Sequence, residues 1–433
     1  MAETYYERGN LMKTADVVYR EDLYPRIETS AQTVQKYAED LDVLPPIKVN
    51  QHGELIDGWH RWTAHKKNEV EEIRAEVIET TSDAHLLELA IEMNASHGLQ
   101  LSQADKRDMA RKIYGATPEK ERDEKKKQLA KILSVSERTI REWLSRVDKD
   151  SKEARNRRIF DLWLACNTQQ EIADAVGDGS DAERKSVERT LGQFGNVADL
   201  SKTDAAAADH ATDFTPPIYN IWKQQEKSNN VGHFGNSEVR WVDNLIYLYT
   251  KPFDVVIDPF AGGGSTIDIC KKRFRRYFVS DRKPIVEREK EIRLHDLTGG
   301  LPKPPQWKDV RLVYLDPPYW KQAEGQYSDD PTDLANMPLE QFNEALAGII
   351  NGFAKKLTDA YIALIIQPTQ WKAPERQYTD HVGDMLRAVK LPVDMRYSVP
   401  YESQQCNAQM VEWAKEHKTC LVLSREIVVW RVN

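Results

Sequence analysis

The run from Asp254 to Thr266, Asp-Val-Val-Ile-Asp-Pro-Phe-Ala-Gly-Gly-Gly-Ser-Thr, constrains the fold of this chain more than any other feature. An apolar stretch meets consecutive glycines and then two hydroxyl residues. A strand must therefore stop, turn sharply and start a helix that Ser265 or Thr266 can cap. Further on, short β-rich runs alternate with longer helical patterns: Thr266 to Arg273, Tyr277 to Asp281, Leu312 to Asp316, a helix near Leu339 to Lys356, and Tyr361 to Ile366. This alternation predicts an α/β domain with a parallel sheet wrapped by helices.

Lacking Cβ atoms, the glycines let a ligand approach the backbone closely. Such a turn fits dinucleotide, nucleotide and flavin sites, and equally an ordinary tight turn. The next strand ends in Asp281, where a carboxylate for a ribose hydroxyl belongs, with the capping of a following turn as the plainer alternative. His295-Asp296-Leu297 offers a second carboxylate, to an adenine amine. The strand from Val310 to Leu315 delivers Asp316-Pro317-Pro318-Tyr319-Trp320 at its carboxyl end, where open α/β sheets hold their ligands.

An aniline-like amine is a poor nucleophile because its lone pair is delocalised into the ring. Asp316 and the Pro317 carbonyl can accept its two hydrogens and draw the nitrogen toward tetrahedral geometry. The prolines stiffen the loop and remove backbone donors. Tyr319 is expected to stack on the base and Trp320 to extend that wall, which presumes a base turned out of its helix.

Together these residues resemble the amino-group-specific DNA methyltransferases acting on N6 of adenine or N4 of cytosine, over roughly residues 214–433. Asp258-Pro259-Phe260-Ala261-Gly262-Gly263-Gly264-Ser265-Thr266 is similar to the family's DPFAGSGTT-type loop, and Asp316 to Tyr319 matches its catalytic tetrapeptide. The resemblance implies a Rossmann-like seven-stranded methyltransferase sheet, its last strands placed at Cys420 to Ser424 and Glu426 to Trp430. It also implies S-adenosyl-L-methionine as cofactor, held by Asp258, Pro259, Phe260, Ala261, Gly262, Gly264, Thr266, Asp281 and Asp296. Asp316, Pro317, Pro318 and Tyr319 are the catalytic candidates, with no metal and no covalent enzyme intermediate.

Within the family, a leading Asp rather than Ser favours N6 of adenine. An N4-cytosine enzyme, an RNA or protein methyltransferase, and a DNA-binding regulator with a vestigial methyltransferase fold stay open as alternatives. The loop precedes the tetrapeptide, the reverse of the order in many members. Only about 100 residues follow Tyr319, leaving little room for an inserted recognition domain. The polar loop from Pro400 to Gln405 is a candidate contact to the target base, with an ordinary surface turn open as the equal alternative. The segment around His233-Phe234-Gly235-Asn236 stands where an element closing over the methionine end of the cofactor is expected.

The upstream half carries other patterns. Gln128 to Leu144 reads as two short amphipathic helices around a turn at Ser134 to Ser136, and resembles a helix-turn-helix whose second helix offers Arg138, Thr139 and Arg141 to DNA, with Glu137 beside them. A three-helix packing unit without DNA is the plainer alternative. Residues 101–160 hold 18 Lys/Arg against 11 Asp/Glu within a chain of net charge −8, which suits a polyanionic partner. A weaker copy, Thr168 to Val176 with Ser186 to Leu191, has a longer, acidic turn.

Glu54 to His65 runs from a strand through Gly58 into a helix bearing His60 and Arg61, a geometry that suits an anion at a helix N-terminus. This region, with Glu92 to His97 as a second box, resembles the N-terminal domain of ParB partition proteins over about residues 15–147. An Arg is more usual in that family where His97 stands. The resemblance implies double-stranded DNA as partner, CTP at Gly58, His60 and Arg61, and room for a homodimer; a scaffold without nucleotide stays open beside it.

The expected domains are a ParB-like 1–98, a helical helix-turn-helix region 99–200, a linker 201–215 and a methyltransferase domain 216–433. In the 433 residues no apolar run approaches the roughly 18 to 20 needed to span a bilayer. The polar, acidic N-terminus lacks the marks of a secretory signal, so no membrane and a cytoplasmic location are expected. Cys166, Cys270, Cys406 and Cys420 show neither disulfide nor zinc spacing.

Overall fold

The computed structural model describes the chain apart from residues 1–9, 27–28, 97–100, 195–196, 224–237, 322–324, 326–328, 371–377 and 402–405. His97, the stretch from His233 to Asn236, and Glu402 to Gln405 therefore lie outside the described residues. Two compact units divide at Ala154 and Arg155.

The first unit pairs a small sheet with helices. Its strands are β1 Asn10–Lys13, β2 Ile47–Val49, β3 Leu55–Asp57 and β4 Glu72–Val77, in the order β1-β4-β2-β3. Helices α1 Ala31–Ala38, α2 Trp59–Lys67 and α3 Asp83–Ser96 accompany them, followed by α4 Gln103–Ala116, α5 Arg122–Ile132 and α6 Glu137–Leu164, which runs on past the unit boundary. A reciprocal capping box between Ser102 and Asp105 starts α4. Met109, Ile113, Leu129, Leu133, Ile140 and Trp143 form one buried cluster joining α4, α5 and the start of α6.

The second unit takes in the end of α6 and continues with α7 Gln169–Val176 and α8 Asp181–Leu191, the latter starting earlier than the expected Ser186. The stretch expected as a linker contains α9 Lys202–Ala208, and its end is buried. Its fixings are long-range: the Arg273 guanidinium donates to the Ala207 carbonyl at 3.1 Å, and His210 meets the Asp243 carboxylate at 3.0 Å. Alanine-rich composition signalled a linker, but these distant partners make the segment part of the packed unit.

Then follow α10 Val239–Tyr249, β5 Val255–Asp258, α11 Ser265–Lys272, β6 Arg276–Asp281, β7 Arg293–Leu294, β8 Val310–Leu315, α12 Leu339–Ala354, β9 Ala360–Ile366 and the small pair β10 Thr369–Gln370 and β11 Tyr378–Thr379. The chain closes with α13 Val382–Ala388, β12 Val393–Ser398, α14 Ala408–Glu416 and β13 Glu426–Val432. Seven strands share one sheet, ordered β12-β13-β9-β8-β5-β6-β7, with β13 antiparallel to both neighbours and the pairs from β9 to β7 parallel.

One expected strand is corrected. Cys420 to Ser424 is not a strand, and the edge is formed by β12. The apolar run at 420–424 has its polar groups claimed elsewhere: the Gln370 side chain bonds the Cys420 carbonyl and the Val422 amide.

Side chains on the central strands alternate between two cores, as a sheet covered on both faces requires. Val256, Leu312, Ala363 and Val429 pack with Trp241, Leu245 and Ile267 of α10 and α11. Ile257, Val313, Leu364 and Trp430 pack with Phe342, Leu346, Ile350 and Met385 of α12 and α13. This sandwich leaves the carboxyl ends of β5, β6 and β8 open at one edge.

Candidate active site

That edge holds a cavity of about 1110 Å³. Asp258, Pro259, Phe260, Ala261, Gly262 and Thr266 line it from the first strand and its loop; Asp281 and Asp296 come from the next two, and Asp316 and Pro318 from the tetrapeptide. Pro317, Tyr319 and Gly264 are not on its wall.

The glycine turn is held from inside. Asp258 is buried, its carboxylate accepting the Phe260 amide at 2.9 Å and the Thr266 hydroxyl at 2.6 Å. Burial pushes this carboxyl up to about 7, with the charges of Asp316 and Asp281 adding to the effect. Asp281 accepts the Gly262 amide at 3.0 Å and the Lys283 amide at 2.8 Å, so it braces the turn as well as facing the cavity. Gly264 has φ +82°, and a Cβ there would sit 2.8 Å from Cδ of Arg288. Arg288 in turn grips both oxygens of Asp268 at 2.8 Å and leaves no space for a side chain at the turn.

Asp296 is held below the usual carboxylate range by the Thr298 amide and hydroxyl, with Arg282 also contributing. Arg282 bonds Asp296 at 3.0 Å and Asp330 at 2.6 Å, and reaches the Thr332 hydroxyl at 3.0 Å, tying the loops after β6, β7 and β8 around the cavity. Sequence reasoning missed Arg282 and Arg288. The only signal for Arg282 was its place directly after Asp281.

At the tetrapeptide, the Tyr319 hydroxyl points to the Asp316 carboxylate at 3.4 Å. Burial, followed by the Asp316 charge, raises the Tyr319 phenol well above its ordinary value, so it stays protonated. Trp320 does not extend a base-facing wall: it is buried in the core below, and its indole N–H donates to the Met337 carbonyl at 2.9 Å. Its apolar bulk gains more from the core than from an open rim.

In the first unit, Gly58 adopts φ +108° as the N-cap of α2, a conformation that favours glycine. Arg61 is spent on its own fold, donating to the Pro45 and Pro46 carbonyls at 3.1 and 2.8 Å and to Asp57 at 2.7 Å. His60 is buried and accepts the Ser30 amide at 2.9 Å; burial and the nearby Arg26 and Arg61 hold its pKa below the ordinary value. An acceptor nitrogen of this kind carries no positive charge to an anion.

The turn between α5 and α6 has Ser134 at φ 50°, and the Ser136 hydroxyl accepts the Thr139 amide at 3.1 Å. Arg138 is exposed, Thr139 half-buried, and Arg141 exposed with an ion pair to Glu137 at 3.1 Å. The weaker copy opens α8 on Asp181 and Glu183, the latter paired to Arg155, so its first turn is acidic.

A chain that gathers a glycine turn and three strand-end carboxylates around one cavity has the layout of α/β proteins that hold ligands at strand carboxyl ends. Residues 106–288, fewer than half of the chain, match the family described as DNA methylase, which shows the amino-group DNA methylase resemblance read from the sequence. The match takes in the glycine turn and Asp281 and ends before Asp316.

Among solved structures, a ParB-N domain of the Pnob8-like type is 13% identical, covering 48% of this chain and 90% of that one at a TM-score of 0.27. C-terminally truncated ParB from Caulobacter crescentus appears twice. Complexed with CTP-gamma-S it is 18% identical, over 32% of this chain and 77% of that one, TM-score 0.19. Complexed to the centromeric parS site it is 16% identical, over 47% and 99%, TM-score 0.23. Overlaps this slight assign this chain neither a fold nor a ligand. No curated protein sequence matches the chain. Among the described residues no helix is long and apolar enough to cross a membrane, and no group of His, Cys, Asp and Glu could hold a metal ion.

Proposed function

We propose that this chain is an S-adenosyl-L-methionine-dependent DNA methyltransferase acting on an exocyclic base amine, with N6 of adenine the favoured target. The observation that carries this reading is the single cavity shared by Asp258, Asp281 and Asp296, the cofactor candidates, and Asp316 and Pro318 of the tetrapeptide. The donor set fits the cofactor chemically: carboxylates suit a sulfonium and ribose hydroxyls, and the glycine turn admits a ligand that a Cβ would exclude. When bound, the cofactor supplies an electrophilic methyl group.

The residues of the chain do the orienting. Asp316 and the Pro317 carbonyl accept the two amine hydrogens, and Tyr319 packs against the displaced base. With its hydrogens so held, the amine nitrogen would present its lone pair to the methyl group that the bound cofactor would supply. The extra proton then leaves the nitrogen for water, so Asp316 need not be a strong base. Arg138, Thr139 and Arg141 serve as DNA contacts at the start of α6, taking residues 99–200 as the target-finding region and 216–433 as the catalytic domain. For the ParB-like region, the inward engagement of Arg61 favours the scaffold reading over CTP binding.

The test is incubation of the protein and of D316A with labelled cofactor and DNA, RNA or protein, followed by nucleoside analysis of the DNA. Labelled N6-methyladenine from the native chain, none from D316A, and equal cofactor binding by both are expected. Label in protein or RNA alone overturns the DNA reading, and N4-methylcytosine overturns the choice of base.

A further inference from the structure

Arg282 directly follows Asp281, where strand β6 ends at the cavity. Its backbone is pinned from both sides. The Asp281 carbonyl accepts the His295 amide at 3.0 Å, and the Asp281 carboxylate accepts the Lys283 amide at 2.8 Å. From this fixed base the guanidinium reaches two other loops. Its Nε meets the Asp296 carboxylate, after β7, at 3.0 Å; one Nη donates to Asp330 at 2.6 Å and to the Thr332 hydroxyl at 3.0 Å, both after β8.

Both carboxylates divide their oxygens between their own turn and the arginine. One oxygen of Asp296 accepts the Thr298 amide and hydroxyl at 2.9 and 2.8 Å, and the other faces Arg282. One oxygen of Asp330 accepts the Thr332 amide and hydroxyl at 2.8 and 2.7 Å, and again the other faces Arg282. The segment after β8 is itself one piece. The Asp330 carbonyl accepts the Asp333 amide at 3.0 Å and the Asn336 side-chain amide at 2.9 Å, and Leu334 and Ala335 are buried. Thr332, Leu334 and Met337 of that piece line the cavity, as do Asp296 and Leu297 of the other loop.

Arg282 therefore joins two walls of the cavity. A wall ordered before a ligand arrives costs no ordering when it binds, and a ligand gripped between two walls leaves as they part. We infer that Arg282 is a positioning residue for the cofactor: by clasping Asp296 to Asp330 and Thr332 it keeps the walls after β7 and β8 together and slows the departure of S-adenosyl-L-methionine. This inference rests on the functional reading above. One planar fork that meets three acceptors is a task for arginine, which the point charge of lysine performs only in part. The side chains of Arg282, Asp296 and Asp330 are 38 to 41% exposed, so each contact is modest alone and screened by salt. Three such contacts together correspond to roughly a tenfold effect.

The test is the release of labelled S-adenosyl-L-methionine, followed by rapid filtration, from the full chain and from R282M, R282K, D330N and R282M/D330N. Single-turnover methyl transfer to DNA is measured beside it over a range of cofactor concentrations. R282M should release the cofactor about tenfold faster and raise the concentration for half-maximal transfer by a similar factor, while the rate at saturating cofactor falls less than about threefold. R282K should fall between the native chain and R282M. D330N should speed release about threefold in the native background and much less in that of R282M, because residues acting through one another are not additive. Raising salt from about 0.1 to 1 M should speed release from the native chain more than from R282M.

Release from R282M within about twofold of native, a fall in the saturated rate as large as the gain in release, an undiminished D330N effect in the R282M background, or the same salt response in both proteins each overturns the inference and leaves the functional reading standing. If R282M fails to fold, R282K with D330N decides by the same cycle: non-additive release supports the clasp, and additive release overturns it. A native chain that takes up no cofactor sinks the functional reading and the inference together.

Discussion

Asp258 offers the sharpest test of how the glycine turn is built. Its carboxyl is pushed up to about 7, first by burial and then by the charges of Asp316 and Asp281, while the Thr266 hydroxyl and the Phe260 amide oppose the shift. Unfolded, the same group titrates near 3.8. Between these values the folded chain holds a proton that the unfolded chain has released, so stability falls as pH rises from about 4 to about 7 and is flat above. At 1.36 kcal/mol per unit the full loss is roughly 4 kcal/mol, with about 3 kcal/mol of it between pH 5 and 8.

Asp258→Asn keeps the shape and an acceptor but cannot titrate, so this loss should vanish in the variant. Urea unfolding of the full native and variant chains at pH 5 and 8, with hydrogen exchange read at Val255–Asp258 and Val310–Leu315, measures the difference. The variant should also lose the rise in cofactor affinity through pH 7 that an ionising carboxylate gives toward a sulfonium. Equal pH slopes for the two proteins would refute the argument that Asp258 is a buried, neutralisable acid.

Other outcomes follow from the same geometry. Gly264→Ala places a methyl group 2.8 Å from Cδ of Arg288 at φ +82°, and should reduce stability by about 1 to 3 kcal/mol and cofactor affinity with it, read by thermal unfolding and calorimetry. Arg138→Ala and Arg141→Ala should weaken DNA binding evenly across sequences and lower the salt slope by about 1 for each phosphate no longer neutralised, measured by titration at several salt concentrations. CTP should give no calorimetric signal with the full chain, because the donors of Arg61 already meet Pro45, Pro46 and Asp57; binding that Arg61→Ala abolishes would reverse this.

What the sequence reveals, and what it hides, divides along a physical line. Gly58 and Gly264 occupy backbone conformations that penalise other residues, and both stood out because a conformational demand is local to the chain. The strands β5, β6, β8 and β9 were legible for a similar reason, since apolar runs buried on both faces read as strands without knowledge of their partners. Cys420 to Ser424 carried the same apolar signal and failed, because Gln370, fifty residues away, bonds its backbone groups; β12, with most of its residues exposed, took the edge instead.

Arginines mark the limit most clearly. In a sequence each one is a cation with five donors, and composition assigns it to the surface. Arg61 read as a ligand for phosphate, yet two proline carbonyls and Asp57 meet its donors. Arg282 and Arg288 read as nothing in particular, yet they bind the loops of the cavity and the turn at Gly264. The acceptors within reach run from Asp57, four residues from Arg61, to Thr332, fifty from Arg282, and are set by how the loops fold, so an arginine's role at such a site is a property of the fold and not of its motif alone.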